Sequence, residues 1–116
     1  MIEPLKIVLN GHLTTRQLAQ VFESLETEIE QLPESNSLIV DCMNMTGYDM
    51  NAQTTFIEWN KKWREKISRV AIVTDKWVWH MVISVMATQS KQLMKPFNNL
   101  EKAQEWLMQG AASSKK

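Results

Sequence analysis

The run SLIVDCM, residues 37–43, decides the fold. It is almost continuously apolar and shows no alternation with polar residues, which is typical of a strand covered on both faces of a parallel sheet. A second acid, Asp49, follows a glycine, and a helical pattern begins just after it. We therefore predict a central strand that reaches Asp41, a loop at residues 46–51, and then a helix.

The segment before this strand predicts another strand and a helix. Residues 5–9 are rich in Ile, Val and Leu and end at Asn10-Gly11, a pair common in hairpins. The residues after that pair do not alternate, however. Thr14 and Gln17 form a Thr-x-x-Gln capping box, and apolar residues then recur at helical spacing. The pattern predicts a helix over about 15–32.

The segment after the central strand repeats this alternation. Apolar residues at helical spacing follow the loop, and residues 69–75 again form an apolar strand that ends in an acid. A third helix over 76–91, a short strand over 92–97 and a last helix over 100–109 follow. Strands that alternate with helices imply right-handed crossovers. We predict one α/β domain over residues 1–110, with a central, mostly parallel four-stranded sheet flanked by four helices, and a flexible tail over 111–116.

The third predicted helix is apolar around about twice the arc that a surface helix needs. One sector has the spacing of a core face and contains Val78, Met81, Val82 and Val85. The apolar surface then continues through Trp79, Ile83 and Met86. We predict that these last three residues form an outer face, which contacts either another copy of the chain or an apolar ligand.

Composition excludes several classes of protein. The 116 residues contain 13 basic and 13 acidic side chains, so no excess of positive charge indicates nucleic acid or an anionic membrane as a partner. No apolar run is long enough to span a bilayer. A single cysteine, Cys42, and the lack of a charged-then-apolar leader predict a cytoplasmic location. Five Trp and eight Met indicate a core or oligomer contact, or an apolar pocket.

The order of four motifs resembles the SpoIIAA-like branch of the STAS domains. These motifs are VLNGHLTTRQL, LIVDCMNMTGYDM, RVAIVTDKWVW and PFNNLEKAQEWL, and the resemblance covers about residues 6–107. It implies a bacterial regulatory protein that is not an enzyme. A typical member begins with one more strand, paired with the first strand predicted here. Only residues 1–4 stand at that place, so this edge strand is missing or is supplied by a partner.

The same resemblance identifies a loop that binds partners. In phosphorylation-controlled members the loop that matches residues 48–52 carries Asp-Ser-Ser-Gly, and its second Ser is phosphorylated. Here the sequence is Asp49-Met50-Asn51-Ala52, which keeps the acid and lacks both hydroxyls. The resemblance therefore implies a binding module without the phosphoserine switch. The predicted residues of the ligand or partner loop are Asp41, Tyr48, Asp49 and Asn51.

Two alternatives remain open at this point. Helices rich in Trp and Met also enclose acyl chains in related α/β folds, so the chain could be a small carrier of a lipid-like ligand. Asp41 and Asp49 could instead perform acid-base chemistry, although only His12 and His80 are available as further proton-transfer groups. The simpler role for Asp49 is to cap the following helix. No metal-ligand spacing and no glycine-rich phosphate loop occurs, so no metal or cofactor is predicted.

Overall fold

The computed structural model describes residues 3–32 and 34–113, except for the side chains of residues 110–113. Strands and helices alternate four times, as predicted. In chain order they are β1 Leu5–Leu13, α1 Thr15–Glu30, β2 Asn36–Tyr48, α2 Met50–Trp63, β3 Ile67–Val73, α3 Trp77–Ser90, β4 Met94–Phe97 and α4 Leu100–Ser113.

The sheet has the strand order β1-β2-β3-β4, and all three pairings are parallel. Right-handed crossovers between successive neighbours place α1, α2 and α3 on one face. The helix α4 follows the last strand and packs on the opposite face against β2, β3 and β4. The predicted α/β fold, with a parallel four-stranded sheet and four helices, is confirmed.

The two longest strands extend past their predicted ends. β2 pairs with β3 as far as Asp41 and continues beside β1 to Tyr48, so the predicted loop shrinks to Asp49. β1 runs through the Asn10-Gly11 pair, where its register with β2 shifts twice. Gly11 has φ +63°, a conformation that glycine adopts without strain. The glycine therefore belongs to an irregular strand and not to a hairpin.

Each face of the sheet carries its own core. The larger core lies under α1, α2 and α3, where Leu18, Leu25 and Ile29 of α1 are almost fully buried. The smaller core lies under α4 and contains Ile39, Ala71, Val73, Ala103 and Leu107. These two cores explain why the central strand is apolar on both faces.

One side chain fastens α4 to the sheet. The guanidinium of Arg69 on β3 lies 4.7 Å from the ring centre of Trp106, and its Nη1 donates a hydrogen bond of 3.0 Å to the carbonyl of that residue. This contact combines stacking with a charge-assisted hydrogen bond. α4 continues to Ser113, three residues into the segment predicted as a flexible tail, and the rest of that segment lies outside the described residues.

Most of the predicted assignments on α3 are reversed in the structure, although Val82, predicted as core, does pack against the larger core. Ile83 and Met86 are buried against the sheet and Trp79 is half-buried, although the sequence placed them on an outer face. Val78, Met81 and Val85, predicted as core, are at least half exposed. The prediction is wrong because α3 is apolar nearly all round, so periodicity alone cannot show which side meets the sheet.

β1 forms an edge of the sheet. No strand precedes it in the described part of the chain, and residues 1 and 2 lie outside that part. The two register shifts in β1 and the exposed Lys6 are features that discourage pairing at an edge. These features make pairing of a second copy at the open edge less favourable than the sequence suggested.

Candidate functional site

The connection between β2 and α2 is held by a contact with the turn between β1 and α1. One carboxylate oxygen of Asp49 lies 2.8 Å from Nε2 of His12. The other accepts a hydrogen bond of 3.3 Å from the backbone N–H of Thr15, in the first turn of α1. Parallel pairing brings these groups together, because β1 and β2 stay paired as far as His12 and Leu13, which lie next to Gly47 and Tyr48.

Asp49 occupies the predicted N-cap position of α2, but it does not make the predicted capping bond. No N–H of α2 donates to its side chain. The carboxylate instead accepts a hydrogen bond at the N-terminus of α1, a helix that precedes it in the chain. Sequence spacing could not show this, because the bonded groups lie more than 30 positions apart.

The surroundings favour the ionised form of this carboxylate. The hydrogen bond from His12 and the backbone N–H of Thr15 hold the pKa of Asp49 below its ordinary value of 3.8. The imidazole lies against Gly47, where an added Cβ would stand 3.2 Å from Nδ1 of His12. A side chain at residue 47 would therefore require the ring of His12 to shift by a few tenths of an ångström.

The rest of the loop faces solvent. The side chain of Met50 is 88% exposed, and Asn51, at the place of the phosphorylated Ser in the family resemblance, is also exposed. Tyr48 is half-buried and contacts the ring of Trp79 edge-on, with 5.6 Å between the ring centres. Its hydroxyl donates to Gln53 at 3.4 Å. The loop thus has a fixed base and an exposed tip at residues 50–51.

Asp41 lies apart from this loop. Its neighbours Val40 and Cys42 point into the larger core, so strand alternation directs Asp41 to the α4 face of the sheet. Its carboxylate accepts a hydrogen bond of 3.1 Å from the N–H of Met43. The predicted grouping of Asp41 with Asp49 is therefore not seen, because Asp41 bonds within β2, whereas the carboxylate of Asp49 contacts His12 and Thr15.

The other candidate groups do not join the loop either. Nε2 of His80 lies 2.8 Å from the carbonyl of Thr74, at the start of its own helix. Thr54 and Thr55 border an open groove between α1 and α2, above the buried rings of Phe22 and Trp59. Neither threonine takes the place of the missing loop hydroxyls.

An apolar cavity of about 80 Å³ lies between the sheet and the three helices of the larger core. Trp79, Ile83 and Met86 border it, so the residues predicted for an apolar-ligand face do line a cavity, although from inside the protein. The other lining residues are Leu9, Leu13, Leu18, Val40, Cys42, Met45, Tyr48, Ala52, Gln53, Phe56, Ile72 and Val82. Sequence reasoning missed most of these, because they come from six elements and show no local signal.

The size of this cavity limits what it can hold. Pockets for small molecules usually measure about 300–1,000 Å³, and an apolar cavity of about 150 Å³ admits benzene. At about 80 Å³ this cavity accepts no lipid-sized molecule unless it expands. Burial raises the pKa of the Cys42 thiol in its wall to about 12, and the charge of Asp41 adds to this shift. The thiol is thus an apolar wall group.

Two kinds of feature are absent from the described part of the chain. No three His, Cys, Asp or Glu side chains in that part of the chain come together in a way that could hold a metal ion. The same residues include no helix with the length and hydrophobicity needed to cross a membrane.

An all-parallel α/β sheet with a short, fixed loop after its second strand defines the structural class of this protein. The sequence model of the SpoIIAA-like family matches residues 5–108, so the chain belongs to the SpoIIAA-like family. This confirms the resemblance found in the four motifs. No curated protein matches the chain.

A solved structure supports the same fold. An uncharacterized protein of the DUF3478 family with a SpoIIAA-like fold, from Shewanella loihica PV-4, superposes with a TM-score of 0.72. The match covers 88% of this chain and 82% of that one, at 19% sequence identity. At this identity the likeness concerns the fold alone.

Proposed function

We propose that this protein is a non-enzymatic regulatory module that binds another protein, or a second copy of itself, in the cytoplasm. Membership of the SpoIIAA-like family supports a regulatory role through protein contacts. The finer proposal is that its partner loop, residues 48–51, works without a phosphoserine switch.

The contact between His12 and Asp49 is the main observation that supports this proposal. In a phosphorylation-controlled loop, a new phosphate changes the charge next to the acid of the loop. Here Asn51 stands at the acceptor position, and Asp49 is already bonded to His12 and to the N–H of Thr15. The loop is therefore held in one arrangement by groups of the chain itself, with Met50 and Asn51 presented to solvent.

A photo-crosslinking experiment in the host tests the partner loop. A benzophenone amino acid replaces Met50, and the matched control carries it at Gln104, an exposed site on α4. We expect one discrete adduct from position 50 that is absent from position 104 and is identified by mass spectrometry. Binding of the purified partner should then weaken at least about tenfold in Met50→Asp, as expected for an exposed anchor residue. Equal adducts at both positions would refute the loop as the binding site.

Intact mass tests the lack of a switch. Protein purified from its own host in growth and stationary phase should show only the unmodified mass, and peptides that cover residues 51–55 should carry no phosphate. Stoichiometric phosphate on Thr54 or Thr55 would contradict the proposal and restore a switch near this loop.

The apolar cavity favours a second candidate function, a carrier of a lipid-like ligand. The cavity is lined mainly by apolar side chains of three strands and three helices, but it must expand to hold an acyl chain. Native mass spectrometry and organic extraction of protein purified from its host decide between the candidates. A stoichiometric lipid would support the carrier, and an empty protein that still binds its protein partner would exclude it. No observation in the structure favours the acid-base enzyme, because Asp41 and Asp49 do not converge.

A further inference from the structure

The outer face of α3 differs from the exposed faces of the other helices. No Asp, Glu, Lys or Arg occurs from Trp77 to Ser90, whereas α1, α2 and α4 all carry charged side chains. Its exposed apolar side chains are Trp77, Val78, Met81 and Val85, with exposed fractions of 71%, 51%, 63% and 50%. We call these four residues the α3 patch.

The α3 patch is a continuous stripe. Its members fall within about 100° of the helix circumference, at the steps of one, three and four residues that bring side chains together on a helix. Ser84 and Thr88, both exposed, lie at its border. Exposed apolar stripes of this kind, with charged residues only beyond their ends, are typical of surfaces that bind another protein surface.

We propose that the α3 patch binds the α3 patch of a second copy, with the two helices antiparallel across a twofold axis near Ile83. This inference deepens the proposed function by naming a partner. It concerns the purified chain alone, so its failure would leave the partner loop at residues 48–51 untouched.

Charge at the two ends of α3 favours this arrangement. The exposed Asp75 precedes the helix and the exposed Lys91 follows it, and the two are equally far from Ile83 along the chain. An antiparallel pair therefore places Asp75 of each copy beside Lys91 of the other. The remaining nearby charge, Lys76, lies with its ammonium 5.0 Å from the ring centre of Trp79, on the side of the helix that faces the protein.

The apolar residues of the two copies are paired by the same twofold axis. Met81 and Val85 are also equally far from Ile83, so each Met81 meets Val85 of the second copy. Val78 and Thr88 are related in the same way. Antiparallel helices also bring each N-terminus close to a C-terminus of the other copy, which is the favourable arrangement of helix dipoles.

The alternative of a membrane surface lacks the necessary charges. Helices that lie on anionic membranes carry Lys and Arg beside their apolar face. The α3 helix has none, and the exposed acid Asp75 stands at its start.

The area of the patch predicts a weak dimer. From their exposed fractions, the four side chains offer roughly 400 Å² per copy, about half of the ~800 Å² per partner in a standard interface. We therefore expect sedimentation velocity to show monomer at about 10 µM and mostly dimer at about 1 mM, which corresponds to a dissociation constant in the upper micromolar range.

Charge reversal tests the register. Asp75→Lys and Lys91→Asp should each weaken the dimer at least about threefold, and the double variant should restore it, because opposite charges again face each other. Asp is chosen at position 91 because that residue has φ 59°, and Asp tolerates the left-handed region better than most residues. Additive weakening in the double variant would refute the register.

Replacement of the patch tests its location. Met81→Glu with Val85→Glu should give a monomer with an unchanged far-UV spectrum, whereas Met108→Glu, the same change at an exposed methionine on α4, should leave the dimer intact. Wild-type protein that stays monomeric at about 1 mM, or a dimer that survives the double change, would overturn the proposal. So would a monomer that sediments with phosphatidylglycerol vesicles through the same residues.

A cross-link gives a result that does not depend on the folding of the glutamate variants. Ser84→Cys lies next to the proposed axis, and a short bismaleimide should join two copies through it. Gln89→Cys is the control, because two copies of residue 89 lie about 18 Å apart along the helix axes. The buried thiol of Cys42 does not compete. Equal cross-linking at both sites would contradict an antiparallel pair centred on Ile83.

Discussion

At the scale of single residues, the Asp49 carboxylate joins two connections that the sequence separates widely. It accepts a hydrogen bond from the N–H of Thr15 and pairs with His12. It accepts no hydrogen bond from the N–H groups of α2, the helix that follows it. An acid near a helix N-terminus is favourable even when it comes from another element. The side chain therefore stabilises the relative position of β1, α1 and β2 more than it stabilises α2.

The substitution Asp49→Asn measures the contribution of this charge. The folded pKa of Asp49 lies below 3.8, so the carboxylate stabilises the fold above that pH, and the stabilisation disappears as the pH falls through the lower folded value. We expect a small decrease in thermal midpoint at neutral pH and no difference from wild type in strong acid. The decrease should shrink in a His12→Ala background. A difference that is independent of pH would indicate a packing effect.

Cys42 offers a second test at this scale. With a pKa of about 12, only roughly one thiol in ten thousand is ionised at pH 8, and the thiolate is the reactive form. We expect iodoacetamide to modify the folded protein at least about 100-fold more slowly than the protein in guanidinium. The engineered thiol of Ser84→Cys should react rapidly in both conditions. Rapid reaction of Cys42 in the folded state would mean that the cavity opens often.

At the scale of the elements, α3 has two apolar faces with different roles. Replacing the buried Ile83 by Ala should cost about 2–4 kcal/mol, because a cavity forms against the sheet. Replacing the exposed Met81 by Ala should change stability by about 0.5 kcal/mol or less. Urea unfolding at low protein concentration, where the chain is monomeric, measures both values. Equal losses at the two positions would contradict the observed orientation of α3.

The contrast between α1 and α3 shows where sequence periodicity is informative. In α1 the buried residues Leu18, Phe22, Leu25 and Ile29 recur every three or four residues among polar ones, so helical spacing indicates the buried face. In α3 apolar residues occur on nearly every side, so spacing locates the helix but not the face that meets the sheet. That choice depends on the position of β3 and β4, which helical spacing does not encode.

At the scale of the whole molecule, the strand-helix alternation was sufficient to predict the architecture. The continuous apolar run of β2 correctly indicated burial on both faces, since Leu38, Ile39 and Val40 are each no more than 2% exposed. The site could not be predicted in the same way. The bond between His12 and Asp49 spans 37 positions and depends on the register of β1 against β2, including its two shifts.

The cavity is also a property of the whole molecule, because its wall is assembled from distant elements. Replacing Cys42 by Val adds about one methyl group to a space of about 80 Å³. If the cavity is empty, this should stabilise the protein by about 0.5–1 kcal/mol, the usual gain for burying one more carbon. Guanidinium unfolding measures the change. A loss of more than about 1 kcal/mol would indicate that the wall at this point is already tightly packed.

The strand order β1-β2-β3-β4 follows the order of synthesis, and among the described residues α4 is the helix that covers the second face of the sheet. On the ribosome, each new strand can therefore join the edge formed just before it. Ile39, Ala71 and Val73 nevertheless stay exposed to water until residues 100–107 leave the exit tunnel. A nascent chain stalled after β4 would present this apolar face to chaperones, and translation of the last helix would end that exposure.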